Sequence, residues 1–299
     1  MKLIEVLQSS PTTLIIVLTI AGLMVGSFLN VVIYRYPIML FREWRDMAKE
    51  ILTEQGYKIS GTANEPLLDD KQFNLVVPRS RCPKCQHLIR SWENIPLISY
   101  VIQGAKCTQC KTAISLRYPA IELITGILFG FLAWQFGWSW QTLVYLVLSA
   151  ILVVQIFIDI DHKILPDPLN YILLWLGLFA AYMGWTIPLT DAVLGALFGY
   201  LSLWSFYWIF KLATKKEGMG YGDFKLLAAL GAFAGYQQLL LIIVLSAGVG
   251  AVIGITMMAL KKTERSTQIP FGPYLAIAGW ISIFWGKEII DLYLRSSGI

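Results

Sequence analysis

The chain has 299 residues, of which 57% are hydrophobic and 14% charged, with a formal net charge of +5. Ordinary soluble domains contain about 25% charged residues, so the composition excludes a water-soluble globular protein. Mean hydropathy is +0.62, and the sequence predicts an all-α polytopic membrane protein, because helices satisfy their own backbone groups inside hydrocarbon.

Apolar stretches long enough for about eight transmembrane helices follow one another along the chain. They lie near residues 12–34, 118–137, 139–158, 168–187, 191–213, 224–236, 237–260 and 270–290. The first exceeds the apolar run of a secretory signal, so we expect it to remain as an anchor. The sixth has 13 residues and would be about 20 Å long, which is short for a hydrocarbon core of about 30 Å.

The stretch 36–117 interrupts the membrane pattern, since it holds all four cysteines and much of the charge. We therefore predict a first transmembrane helix within residues 1–35, a small domain over 36–117 and a membrane core over 118–299. With the N-terminus outside, 21 of the 24 Lys and Arg lie on the side of this domain. Positively charged loops stay in the cytoplasm, so the domain is predicted to be cytoplasmic and both termini to face outward.

Two C-x-x-C pairs, Cys82/Cys85 and Cys107/Cys110, lie within the predicted domain, 21 residues apart. This spacing is close to the about 15 to 20 residues of zinc ribbons. Four thiolates complete the closed tetrahedral shell of structural Zn²⁺ and leave no open position for catalysis. Two disulfides, a redox pair or unliganded thiols remain alternatives, although a cytoplasmic location disfavours disulfides. We predict a zinc-ribbon-like domain with these four cysteines as metal ligands.

Three aspartates lie where the third predicted span ends and the fourth begins. Asp159 ends a long apolar run, and a carboxylate at a helix centre costs about 2.5 to 3.5 kcal/mol on insertion. Asp161 is about 200° further round a helix, among polar neighbours, and is explained more simply as an interfacial group. Asp167 precedes Pro168, which favours an N-cap role for its side chain. Asp159 is therefore the candidate functional carboxylate.

A second candidate, Asp223, follows three alternating glycines, Gly218, Gly220 and Gly222. Glycine permits close approach of backbones, which suits a site where an extended substrate lies near the chain. The pattern matches neither the dinucleotide-binding glycine motif nor the phosphate-binding loop. Because the sixth span is short, Asp223 is expected to lie below the membrane surface.

Topology places Asp159 and Asp223 on the same cytoplasmic side, so the two carboxylates can meet, although spacing alone does not bring them together. Like charges a few ångströms apart do not both ionise easily, so such a pair shares one proton. One aspartate then activates water and the other donates a proton, as in aspartic proteases. The alternative is that both are hydrated groups at helix ends.

At these residues the chain resembles the type IV prepilin peptidases, bacterial enzymes of type IV pilus and type II secretion systems that belong with the GxGD intramembrane aspartyl proteases. The resemblance covers nearly the whole chain. Besides the two C-x-x-C pairs, it rests on Gly26–Asn30 with Arg35, Trp92–Leu97, Arg117–Pro119 with Glu122, Ile158–His162, Leu165–Asp167, Glu217–Leu226 and Pro270–Tyr274.

The resemblance implies that Asp159 and Asp223 are the catalytic pair. Similar enzymes cut after a glycine in the short basic leaders of prepilins and pseudopilins, at the cytoplasmic face of the inner membrane. They then N-methylate the new terminus with S-adenosylmethionine, and the methyl-donor site has no assigned residue here. Some relatives lack the cysteines, so zinc would be structural support. The implied partners are these substrates and the lipid bilayer, and no nucleic acid is expected. Both termini are expected to be periplasmic.

Two other classes of function are open to the same sequence. A proton-coupled transporter would use Asp159 and Asp223 as a relay, but it is expected to have repeated halves with broken helices near the middle of the membrane. A scaffold that recruits partners through the 36–117 domain would leave the paired aspartates unexplained.

Overall fold

The computed structural model describes residues 2–57, 73–260 and 269–297. In these ranges the regular structure is helical apart from two isolated β-bridges, which confirms the all-α prediction. The chain divides into two compact units, one of Thr12–Phe131 and one of Met1–Pro11 with Leu132–Ile299. Some basic residues counted in the topology prediction lie outside the described residues: Lys58, Lys71, Lys261, Lys262 and Arg265.

The helices follow the order predicted from the apolar stretches. They are α1 (Lys2–Ser9), α2 (Pro11–Glu54), α3 (Ile98–Ile102), α4 (Arg117–Phe136), α5 (Trp140–His162), α6 (Asp167–Tyr182), α7 (Leu189–Thr214), α8 (Tyr221–Ala234), α9 (Leu239–Ala259) and α10 (Gly272–Ser296). Each predicted span coincides with one of α2 and α4 to α10. Among the described helices, α2, α4, α5, α7 and α9 with its preceding 3₁₀ turn are long and apolar enough to cross a membrane. The total of eight spans stays a prediction.

In the unit Thr12–Phe131, α2 has 44 residues and continues about twenty residues beyond the predicted first span. Pro37 lies within it without ending it. Small residues bring α2 against α4, since a Cβ on Gly22 would lie 2.7 Å from the Thr125 carbonyl oxygen. Gly26 likewise lies against the backbone of Glu122. Close backbone contact of this kind is typical of helices that pack inside membranes.

In the second unit, α8 is enclosed by α6, α7, α9 and α10. Ten of its 14 residues are buried. At 1.5 Å per residue the helix is about 21 Å long, so the predicted shortness of the sixth span is confirmed. Neighbouring helices rather than solvent cover its sides, and this burial stabilises a helix that would be marginal in isolation.

The contact between α7 and α8 depends on glycine, and we expect Gly195→Ala to destabilise the protein. A Cβ on Gly195 would overlap the backbone carbonyl of Gly231 on α8, so the two helices would have to move apart. Overpacking of this kind costs about 1 to 3 kcal/mol. The measurement is the midpoint of thermal unfolding in detergent.

Gly248→Ala is the matched control for this prediction. Gly248 is also within a helix, and its Cβ would meet nothing within 4 Å. The two substitutions share the same gain in helix propensity, so a difference between them reports crowding. Equal unfolding midpoints for the two variants would contradict the role of Gly195.

Candidate active site and metal centre

Asp159 lies in the last turn of α5, where it is only 5% exposed. The helix ends three residues later, and Lys163 then adopts a left-handed conformation with its amide donating to the Asp159 carbonyl at 2.9 Å. Asp161, two residues further along, is exposed. The Asp159 carboxylate accepts a buried hydrogen bond of 3.0 Å from the Gly272 amide to Oδ2.

Asp223 lies in the first turn of α8 and is 8% exposed. Unpaired amides and the helix dipole favour a carboxylate at this end of a helix. The glycine before it packs closely, because a Cβ on Gly222 would lie 2.9 Å from the Leu165 Cβ. Gly222 therefore serves tight packing beside Asp223.

The ends of three helices come together around these carboxylates. Leu165, in the loop after α5, contacts both Gly222 at the start of α8 and Gly272 at the start of α10. Asp159 and Asp223, the two predicted catalytic residues, thus lie beside the loop that carries Leu165 and beside Gly272. Sequence reasoning assigned neither Leu165 nor Gly272 to the site.

The predicted N-cap role of Asp167 is wrong. Helix α6 begins at Asp167 itself, after Pro166, and the Asp167 carboxylate accepts a 2.5 Å bond from the Lys225 Nζ. An ammonium group is a stronger partner for a carboxylate than a backbone amide, which explains the difference. The ion pair connects the start of α6 to α8 two residues beyond Asp223.

A buried polar pair lies one helical turn from Asp159. Gln155 on α5 donates from Nε2 to Asn170 Oδ1 on α6 at 2.7 Å, and both residues are at most 1% exposed. The remaining polar atoms of the two side chains, Gln155 Oε1 and Asn170 Nδ2, have no hydrogen-bond partner among the described residues. Sequence reasoning missed this pair, although a glutamine four residues before Asp159 in an apolar run was a visible signal.

In the other unit, the sulfur atoms of Cys82, Cys85, Cys107 and Cys110 all lie within 4.8 Å of one another. All four cysteines are described and none forms a disulfide. The Cys82–Cys110 and Cys85–Cys107 sulfur pairs are 3.7 and 3.9 Å apart. A tetrahedron with Zn–S bonds of about 2.3 Å has edges of about 3.8 Å, so the cluster could hold a metal ion and fits Zn²⁺.

The two C-x-x-C turns have the same local structure. In each turn the amide of the first cysteine, Cys82 or Cys107, donates at 2.9 Å to the carbonyl five residues later. The residue after the second cysteine, Gln86 or Lys111, has a φ of 58°. Hydrogen bonds with Thr112 lower the pKa of the Cys110 thiol to about 6.

Glu93 links the two turns. Its carboxylate accepts bonds from the Thr108 hydroxyl at 2.6 Å and the Arg90 amide at 2.7 Å, and His87 Nε2 lies 3.2 Å away. His87 belongs to the first turn and Thr108 to the second. Burial opposes ionisation, but these bonds together lower the pKa of the Glu93 carboxyl. Sequence reasoning included Glu93 in a motif without assigning it this role.

Comparison with known proteins bears on the whole chain. Residues 20–136 match the bacterial peptidase A24 N-terminal domain, and residues 146–255 match the type IV leader peptidase family. A protein of Pseudomonas aeruginosa named prepilin leader peptidase/N-methyltransferase is 51% identical over 298 residues, which is 100% of this chain and 99% of that protein. The chain belongs to the type IV leader peptidase family.

Other members of the family carry the same printed name. The protein of Stutzerimonas stutzeri is 52% identical over 98% of both chains, and that of Neisseria gonorrhoeae is 48% identical over 91% of this chain and 90% of its own. No solved structure gives a significant match. The two family matches correspond to the two units of the structure. The match over residues 20–136 lies largely within Thr12–Phe131, and the match over residues 146–255 lies within the other unit.

Proposed function

We propose that this chain cleaves the basic leader peptide from type IV prepilins and pseudopilins, with Asp159 and Asp223 as catalytic residues. The observation that carries the proposal is the burial of two carboxylates, Asp159 in the last turn of α5 and Asp223 in the first turn of α8, beside one loop residue, Leu165. About half of the residues are identical to those of proteins named as prepilin leader peptidases. The family relationship supports the proposed substrate class, and the two buried carboxylates support the proposed chemistry.

The proposed reaction is hydrolysis of one peptide bond. One aspartate takes a proton from water as the water oxygen attacks the scissile carbonyl carbon. The other aspartate delivers a proton to the leaving amide nitrogen as the carbon–nitrogen bond breaks. Because Gly220 has no side chain and a Cβ there would have no neighbour closer than 3.6 Å, an extended substrate backbone can approach the start of α8.

We also propose that the four cysteines hold a structural Zn²⁺ ion and that residues 1–35, 36–117 and 118–299 form an anchor, a cytoplasmic domain and a membrane core. Bound zinc would tie the two C-x-x-C turns together with a closed set of ligands. The asymmetry of basic residues supports a cytoplasmic domain and periplasmic termini. The length of α2 agrees with this arrangement, since a bilayer needs only about 20 of its 44 residues.

The test of the proposed function uses the purified full chain with a prepilin and S-adenosylmethionine. We expect a product that lacks its leader and whose new N-terminus carries one added methyl group, read by mass spectrometry. An uncleaved substrate would contradict the peptidase. An uncleaved substrate together with proton flux in proteoliposomes would favour the transporter alternative.

N-methylation is proposed from the family relationship, with S-adenosylmethionine as donor and no residue assigned to bind it. If methyl transfer has its own site, Asp223→Asn should still methylate a pilin supplied already cleaved. The N-terminal mass of the pilin is the measurement, with the unmodified enzyme as control. Loss of methylation in a folded Asp223→Asn variant would show that the two activities share this carboxylate.

A further inference from the structure

Gly272, the first residue of α10, contacts Asp159 although the two are 113 residues apart. The first amides of a helix have no partner within the helix, so the Gly272 amide is available to the carboxylate. Its bond to Oδ2 is 3.0 Å long and buried. The bond is also aligned with the positive end of the α10 dipole, which strengthens it.

Space, rather than backbone conformation, requires glycine at this position. The φ of Gly272 is outside the left-handed region, so an alanine could adopt the same backbone. However, a Cβ on Gly272 would lie 2.7 Å from Asp159 Oδ2 and 2.9 Å from the Leu165 Cδ2. Any side chain at 272 would therefore displace the Asp159 carboxylate or the Leu165 side chain.

We propose that Gly272 is the positioning residue for Asp159. Its amide holds Oδ2 and leaves Oδ1 as the oxygen that meets the reacting water or the shared proton. Pro273, within the first helical turn, fixes the backbone next to this amide and limits its movement. The inference rests on the proposed peptidase function and adds the element that orients one of its two carboxylates.

The test measures kcat and KM for prepilin cleavage by the full chain and by Gly272→Ala. We expect kcat to fall about 10²-fold, the loss that a displacement of about 1 Å produces, with KM changed less than about twofold. Gly248→Ala, where a Cβ meets nothing within 4 Å, is expected to match the unmodified enzyme. Unchanged kcat in Gly272→Ala would overturn the proposal.

Leu165→Ala separates displacement of Asp159 from simple crowding of the loop. In the double variant Leu165→Ala/Gly272→Ala the new methyl group no longer meets Leu165 but still meets Oδ2. We expect kcat to remain about 10²-fold below that of Leu165→Ala alone. Full recovery in the double variant would assign the loss to crowding and overturn the proposal.

Two further variants keep the result interpretable. If Gly272→Ala does not fold, Pro273→Ala loosens the same amide without adding an atom next to Asp159, and we expect about a tenfold loss of kcat at unchanged KM. Wild-type kcat in Pro273→Ala would then overturn the proposal.

Asp159→Asn reports on the proposed function in the same assay: if it cleaves, the peptidase assignment fails. If it is inactive while Gly272→Ala keeps wild-type kcat, only the role of Gly272 fails.

Discussion

Asp159→Asn and Asp223→Asn are each expected to lower prepilin cleavage by roughly 10⁴-fold or more, the range typical for loss of an essential catalytic group. Asparagine has nearly the same shape as aspartate, so both variants should fold and reach the membrane at normal levels. It has no carboxylate to accept a proton from water or to donate one to the leaving nitrogen. The measurement is the rate of leader removal by purified protein.

Asp161→Asn is the matched control for this pair. Asp161 lies two residues from Asp159 on the same helix, about 200° further round it, and is exposed. We expect its cleavage rate to stay within about twofold of the unmodified enzyme. Full cleavage by Asp159→Asn or by Asp223→Asn would refute the carboxylate pair.

Replacing any one of the four cysteines with serine is expected to remove most of the bound zinc. A structural zinc site contributes about 10 to 16 kcal/mol in small domains, and loss of one of four thiolates removes the closed shell. The two C-x-x-C turns should then become sensitive to proteases. Metal content per chain and limited proteolysis between residues 73 and 117 are the measurements.

The outcome should not depend on which cysteine is changed, because all four sulfur atoms lie in one cluster. Ser91→Ala is the control, since Ser91 is exposed nearby and contributes no sulfur. Protease-resistant turns in metal-free protein would contradict a structural role for zinc. If zinc were lost only from the variants of one C-x-x-C pair, the two pairs would be separate thiol sites.

Sequence reasoning was most successful where the cause is local. The apolar run before Asp159 and the short span after Asp223 can be seen in consecutive residues, and in the structure Asp159 is buried and α8 has 14 residues. The cysteine cluster could also be predicted, because two residues between thiols let one turn present both on the same side. In each case residues close in sequence determine the feature.

Contacts between distant residues could not be predicted. The Gly272 amide reaches Asp159 across 113 residues, and Lys225 reaches Asp167 across 58. Helical spacing constrains neighbours three or four residues apart and gives no information on which helices pack together. The continuity of α2 across residues 35–40 was not predicted for another reason: a charged residue ends a transmembrane prediction, but it does not end a helix.

The enclosure of α8 separates Asp223 from the lipids. A helix in contact with lipid tilts or distorts the bilayer when its apolar length differs from the hydrocarbon thickness. Most of the residues of α8 are buried by other helices, so its depth is set by its packing on α6, α7 and α10. The position of this carboxylate should therefore be the same in thin and thick membranes.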